Sequence, residues 1–172
     1  MKRFLTILLV LMAGCQSGSS DPTASPSNTP TPESKEAPVL QTTDQDGQPV
    51  DLAKLYEQGP VVVYFYPKAD TPGCTAQACS LRDSYQELTD KGVTVVGVST
   101  DDAETQKAFK AKYNLPFILI PDTENKVLEA FGVSTIAGLS TRQAFLIKGG
   151  KIVWHDASAS TDKQAEDVLN QL

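Results

Sequence analysis

Val61 to Tyr66 reads VVVYFY, an unbroken run of apolar and aromatic residues, and Pro67 stops it. So short and continuous a run suits a strand buried on both faces, closed by proline and the polar residues after it. Thr71-Pro72-Gly73 then reads as a helix start, with threonine at the N-cap and proline at the first helical position, where no backbone donor is needed. A buried strand therefore runs through a short loop into a helix, and Cys74 falls in that helix's first turn. Unpaired N–H groups and the positive end of the helix dipole favour a thiolate there. Cys74 is thus a candidate nucleophile, with the Thr71 hydroxyl, the first-turn N–H groups and a cation from elsewhere as candidate stabilising donors. An inert buried thiol is the usual alternative for a lone cysteine, but Cys79 lies five residues further on.

The rest of the pattern alternates. Val39 to Gln58 holds short extended pieces around a turn at Asp46-Gly47, then a brief helical pattern from Leu52 to Tyr56. Leu81, Tyr85 and Leu88 recur at helical spacing and carry the Cys74 helix to a stop at Lys91-Gly92. Val93 to Ser99 is a second buried strand, followed by a helix from about Ala103 to Tyr113, a strand from Phe117 to Ile120 and a short helix from Lys126 to Phe131. Arg142 to Lys148 and Ile152 to His155 read as a hairpin around Gly149-Gly150, and Thr161 to Leu172 as a closing helix. Such an order implies an α/β domain with one mixed sheet covered by helices, and Trp154 and the aromatic residues of the central strand are expected in its core.

The N-terminal segment stands apart. Lys2 and Arg3 precede an apolar stretch from Phe4 to Ala13, shorter than the ~20 residues of a permanent membrane span and typical of an export signal. It ends in Leu11-Met12-Ala13-Gly14-Cys15, which resembles a bacterial lipoprotein box. The resemblance implies removal of residues 1–14 and acylation of Cys15; an ordinary cleaved signal with an incidental cysteine is the plainer alternative. Residues 15–38 hold Pro22, Pro26, Pro30, Pro32 and Pro38 among small polar residues, with no large apolar side chain. They are expected to form a disordered tether, roughly 25 Å long as a coil, with the folded domain over residues 39–172. Losing Lys2 and Arg3 takes the formal charge from −6 to −8. An acidic surface argues against nucleic acid and leaves acyl chains, not charge, to hold the exported protein on a bacterial membrane, at a periplasmic or extracytoplasmic face. With Cys15 acylated, only Cys74 and Cys79 remain as thiols, and so close a pair adds little stability as a crosslink. The pair reads as redox machinery.

Tyr64-Phe65-Tyr66-Pro67-Lys68, Thr71-Pro72-Gly73-Cys74-Thr75, Ala78-Cys79 and Leu81-Arg82-Asp83-Ser84-Tyr85 occur in an order and spacing that resemble a known family. Gly97-Val98-Ser99-Thr100-Asp101, Lys112-Tyr113-Asn114-Leu115-Pro116-Phe117 and Arg142-Gln143-Ala144-Phe145-Leu146-Ile147 extend the likeness. The family is the atypical two-cysteine peroxiredoxins of the Q class, also called bacterioferritin comigratory proteins, and the likeness covers the chain from about Ala37 onward. It implies a thioredoxin-like fold, a central mixed sheet flanked by helices, and a thiol peroxidase with no cofactor or metal. The family pattern of Pro, three residues, Thr, two residues, Cys falls on Pro67, Thr71 and Cys74. By that resemblance Cys74 is the peroxidatic cysteine, Cys79 the resolving cysteine, and Arg142 the arginine that holds peroxide and thiolate. The implied substrates are hydrogen peroxide and organic hydroperoxides, and the implied reductant is a thioredoxin-like protein. An intramolecular cysteine pair also removes the need for a dimer, so a monomer is expected.

Helix geometry adds a condition. Five residues along a helix give a rise of about 7.5 Å and a rotation of about 140°, whereas a disulfide needs facing side chains on Cα atoms at most ~6.8 Å apart. The first turns must unwind before Cys74 and Cys79 can bond. Two other readings remain. A membrane-tethered thiol–disulfide oxidoreductase suits an exported pair, although such proteins place two residues between their cysteines and this chain places four. A copper-delivery protein using Cys74, Cys79 and His155 is the reading outside enzymes, and it has no need of Thr71 or Arg142.

Overall fold

The computed structural model describes residues 35–172; the expected signal, Cys15 and most of the expected tether lie outside the described residues. In chain order the elements are β1 (Gln41–Thr43), β2 (Pro49–Asp51), α1 (Leu52–Gln58), β3 (Val61–Phe65), α2 (Pro72–Asp83), α3 (Tyr85–Asp90), β4 (Thr94–Ser99) and α4 (Ala103–Tyr113). They continue with β5 (Ile118–Pro121), α5 (Lys126–Phe131), β6 (Thr135–Ile136), β7 (Leu139–Ser140), β8 (Gln143–Lys148), β9 (Lys151–Asp156) and α6 (Gln164–Leu169).

The main sheet has the order β5-β4-β3-β8-β9, with β3 at its centre, parallel to β4 and antiparallel to β8. Both edges and both faces of β3 are covered, so all five of its side chains are fully buried. Alternation along the strand sorts them. Val62 and Tyr64 join Cys74, Ala78, Leu81, Leu88, Phe109 and Val168 under α2, α3, α4 and α6. Val61, Val63 and Phe65 join Leu52, Tyr56, Val127, Leu128 and Phe131 under α1 and α5. Each large side chain so buried contributes about 1.5–3 kcal/mol, so the continuous apolar run makes β3 the anchor of both layers. Close packing also explains one glycine: a Cβ on Gly97 would stand 2.7 Å from the Tyr64 ring and 2.8 Å from Leu119.

The mixed sheet with helices on both faces is the architecture expected. Several details differ. The folded chain begins before the expected Val39: Glu36 bridges Lys151, Ala37 N–H donates to the Gly150 carbonyl at 2.8 Å, and the Lys35 carbonyl accepts from Ile152 N–H at 2.8 Å. Backbone pairing holds this segment, so its lack of large apolar side chains hid it. The expected single helix from Pro72 to Lys91 is interrupted at Ser84, which sits at φ −100° and ψ 13°. Ser84 N–H still reaches the Ser80 carbonyl at 3.3 Å and its own carbonyl accepts from Leu88 N–H at 3.1 Å. Helical periodicity therefore survives across the break, which is why the sequence reads as continuous.

Helix α6 starts at Gln164, not Thr161, because Thr161 instead packs over Gly73, with its methyl 3.4 Å from where a Cβ would stand. Trp154 is only half-buried, since β9 is the sheet's edge and alternates exposed and partly covered positions. The β6–β7 hairpin was not visible in the sequence: its turn uses Ala137 and Gly138 at φ 52° and 78°, and alanine is not a residue that announces a left-handed turn.

Candidate active site

Strand β3 delivers the chain to the site. Tyr66 N–H still donates to the Val98 carbonyl at 3.1 Å, and Pro67 then ends the ladder. The loop that follows is pinned from two sides. Asp101 Oδ2 accepts from Ala69 N–H at 2.7 Å and from Ser99 Oγ at 2.7 Å. Asp70 takes a left-handed conformation, φ 59°, which aspartate tolerates better than most residues. Its carboxylate accepts from Lys112 Nζ at 2.8 and 2.7 Å and from Tyr113 Oη at 2.6 Å. The Lys112 hydrogen bond, with that of Tyr113, holds the Asp70 carboxyl below the usual carboxylate range. The roles of Asp70 and Asp101 are not visible in the sequence, because their side-chain partners come from α4 and from the end of β4.

Helix α2 begins as expected, with Thr71 in extended backbone geometry at φ −93° and ψ 153° and Pro72 as its first residue. The Thr71 side chain differs from expectation. Its hydroxyl makes no cap bond and donates to the Lys68 carbonyl at 2.9 Å. That proton closes the loop and is not offered to the sulfur.

Cys74 is 1% exposed, in a first turn whose N–H groups have no carbonyl within the helix to bond. Arg142, the residue before β8, brings Nη2 to 3.4 Å from Cys74 Sγ. Gly73 leaves the room for it, since a Cβ there would stand 3.2 Å from Arg142 Nη2. The other end of the guanidinium, Nη1, donates to Gln77 Oε1, and Gln77 Nε2 donates to Gln164 Oε1 at 2.7 Å. Both glutamines are fully buried. Gln164 did not stand out in the sequence, whereas Gln77, three residues after Cys74, shares its helix face. Cys79 lies in the same helix, half-buried, and both cysteines are free thiols.

The structure thus brings together Cys74, Arg142 and the Thr71 loop, keeps Cys79 within α2, and leaves His155 elsewhere. His155 stacks on Phe145 with ring centroids 4.1 Å apart and planes 6° apart, and Phe145 belongs to the layer under α1 and α5. Cys74 belongs to the opposite layer. A ligand set of Cys74, Cys79 and His155 is therefore split across the sheet, and the copper-delivery alternative loses its site. Burial lowers the pKa of His155, and its Nε2 lies 2.8 Å from Gln143 Oε1, the setting of a packing residue. Among the described residues, no group of three or more His, Cys, Asp or Glu side chains could hold a metal ion.

Chemically, the arrangement is an anion site built around sulfur. A guanidinium and first-turn N–H groups stabilise a thiolate, and they also stabilise negative charge on an oxygen leaving next to it. Fold and site together set a buried thiol in the first turn of a helix, with an arginine beside it, on an α/β scaffold.

Comparison with known proteins gives the family. The AhpC/TSA family profile matches residues 34–155. The chloroplastic peroxiredoxin Q of Sedum lineare is 47% identical over 139 residues, covering 78% of this chain and 74% of that protein. Peroxidoxin BcpB from Mycobacterium tuberculosis superposes with a TM-score of 0.75 at 33% identity, over 80% of this chain and 94% of that one. The bacterioferritin comigratory protein of Xanthomonas campestris, whose structures concern alkyl peroxide reduction, gives a TM-score of 0.70 at 27% identity, over 76% and 88% of the two chains. The match spans little more than half the length of other curated relatives, 55% of the peroxiredoxin Q of Suaeda salsa and 54% of that of Oryza sativa. The chain belongs to the AhpC/TSA family, among its Q-class peroxiredoxins, and has the thioredoxin-like fold of these structures.

Proposed function

We propose that this chain is a thiol-dependent peroxidase. The observation that carries the reading is the Arg142 guanidinium, 3.4 Å from the sulfur of a cysteine in a helix's first turn. The Cys74 thiolate attacks one peroxide oxygen, the O–O bond breaks, and the departing oxygen takes a proton to leave as water or an alcohol. The sulfur is oxidised to a sulfenic acid. Cys79 then attacks that sulfur, expelling water and forming a Cys74–Cys79 disulfide. A dithiol protein of the thioredoxin type reduces it by exchange, becoming a disulfide itself. Membership among Q-class peroxiredoxins supports this sequence of steps, and the alkyl peroxide activity of the Xanthomonas campestris relative supports organic hydroperoxides beside hydrogen peroxide. Pro67 closes the strand that aims the loop, and Thr71 closes the loop itself. The direct test is peroxide consumption by the full-length protein with thioredoxin-like donors. Consumption that needs Cys74 is expected; consumption unchanged in Cys74→Ser would overturn the reading.

The remaining parts of the proposal concern location. The Cys15 box supports removal of residues 1–14, acylation, and attachment to a bacterial membrane at its periplasmic or extracytoplasmic face. The catalytic unit would then work as a monomer on a tether, since both cysteines lie in one helix. Wild-type protein expressed in a bacterium is expected in the membrane fraction and to be released by detergent, whereas Cys15→Ser is expected in the soluble fraction. A Cys15→Ser variant that still partitions with membranes would remove the anchor.

A further inference from the structure

Three polar side chains run from the last helix to the reactive sulfur. Arginine carries only donors, so the Gln77 atom facing Arg142 Nη1 has to be the oxygen Oε1. Gln77 thereby turns Nε2 toward α6, where it donates to Gln164 Oε1 at 2.7 Å. This fixes both amides and strands Gln164 Nε2, which is buried with no partner among the described residues. An unpaired buried donor is destabilising. Packing alone does not call for two amides here, since apolar side chains of equal length would fill the same space with nothing left unpaired. Beside them, Ala165 N–H donates to Ser80 Oγ at 3.1 Å, a second tie between α6 and α2.

We propose that Gln164, acting through Gln77, is a positioning residue that aims Arg142 Nη2 at Cys74 Sγ. The proposal rests on the reading of Cys74 and Arg142 as the reacting pair. A guanidinium is planar and rigid at the end of a flexible stem. Holding Nη1 on Gln77 sets the plane and leaves Nη2 on the sulfur. Hydrogen bonds in such a chain also polarise one another, so the link from Gln164 strengthens the grip of Gln77 on the arginine. Gln77 lies between Cys74 and Cys79 in α2. The unwinding needed for their disulfide therefore carries Gln77 away from both partners, and Arg142 loses its support once its work on the peroxide is done.

The test uses full-length protein and two rates: the second-order constant with hydrogen peroxide, and alkylation of Cys74 by iodoacetamide at fixed neutral pH. Gln164→Met, Gln77→Met, the double variant and Gln164→Glu are compared with wild type. Methionine keeps the length of the side chain and removes the acceptor. Each methionine variant is expected to lower both rates about tenfold, the scale of a misaligned catalytic group. The double variant should lose no more than the worse single one, because both break the same chain. Gln164→Glu, protonated in so buried a site, keeps a carbonyl acceptor for Gln77, so its rates should stay within about twofold of wild type. Wild-type rates in Gln164→Met, additive losses in the double variant, or a Gln164→Glu no better than Gln164→Met would each overturn the strut. Should Gln164→Met fail to fold, Gln164→Leu against Gln164→Glu makes the same comparison. Failure of the peroxidase reading looks different: wild type itself would not consume peroxide, while the alkylation rates would still decide on the strut.

Discussion

A Cys79→Ser variant is expected to reduce the first equivalent of peroxide at the wild-type rate and then stop. Cys79 is half-buried five residues along α2, and the folded helix keeps it away from the Cys74 sulfur. The first chemical step needs only Cys74, Arg142 and the peroxide, so a rapid-mixing trace of that step should not change. Sulfenic acid then has no thiol to condense with, and further peroxide drives it to sulfinic acid. Steady-state turnover with a thioredoxin-like donor should fall to background. In the wild type, one equivalent of peroxide should give a Cys74–Cys79 bridge by mass spectrometry, with faster amide exchange from about Thr71 to Leu81. A bridge without faster exchange would sink the unwinding step, and no bridge at all would sink the resolving role.

A disulfide between Cys74 and Cys79 would require that helix to serve two states, and its packing shows what such a change would involve. Cys74, Gln77, Ala78 and Leu81 are the buried residues of α2. Unwinding the first turns exposes part of this set and breaks the Gln77 and Ser80 ties to α6. Local openings of this kind fall below the free energy of global unfolding, and a Cys74–Cys79 bond would hold the open form. The anchor beneath is not disturbed, because β3 is buried by both layers and paired on both edges.

Much of this was legible in the sequence where local chemistry decides structure. VVVYFY followed by proline has few places to go except the middle of a sheet, and Thr71-Pro72-Gly73 marks a helix start whatever surrounds it. Element boundaries that depend on periodicity also came close, as with Ala103–Tyr113 and Lys126–Phe131. What escaped was decided by distant partners. Lys35 to Ala37 are held by backbone bonds to the β8–β9 hairpin. Thr71 was expected to cap α2 through its hydroxyl and instead closes the loop onto Lys68. Gln77 and Gln164, 87 positions apart, meet only once α6 lies on α2, and a glutamine on a helix carries no local sign that it will be buried. Of the site, the sequence could supply the nucleophile and, by family resemblance, the arginine; the support behind the arginine belongs to the tertiary structure.

Replacing Arg142 by alanine is expected to slow peroxide reduction about a hundredfold, the scale for loss of one preorganised electrostatic stabiliser and close to 2.7 kcal/mol of activation free energy. Two contacts are lost at once, Nη2 on Cys74 Sγ at 3.4 Å and Nη1 on Gln77 Oε1. The first supports the thiolate and the charge on the departing oxygen. Loss of the second leaves the buried Gln77 oxygen without its donor, so a modest drop in melting temperature should accompany the kinetic loss. Arg142→Lys separates the two effects. Lysine restores a positive charge, but as a single ammonium it cannot span sulfur and amide as the guanidinium fork does. Its rate should therefore fall between wild type and Arg142→Ala. Stopped-flow reduction of hydrogen peroxide measures all three. A rate constant in Arg142→Ala equal to that of wild type would make the guanidinium a packing element over Gly73 and return the stabilisation of Cys74 to the helix start alone.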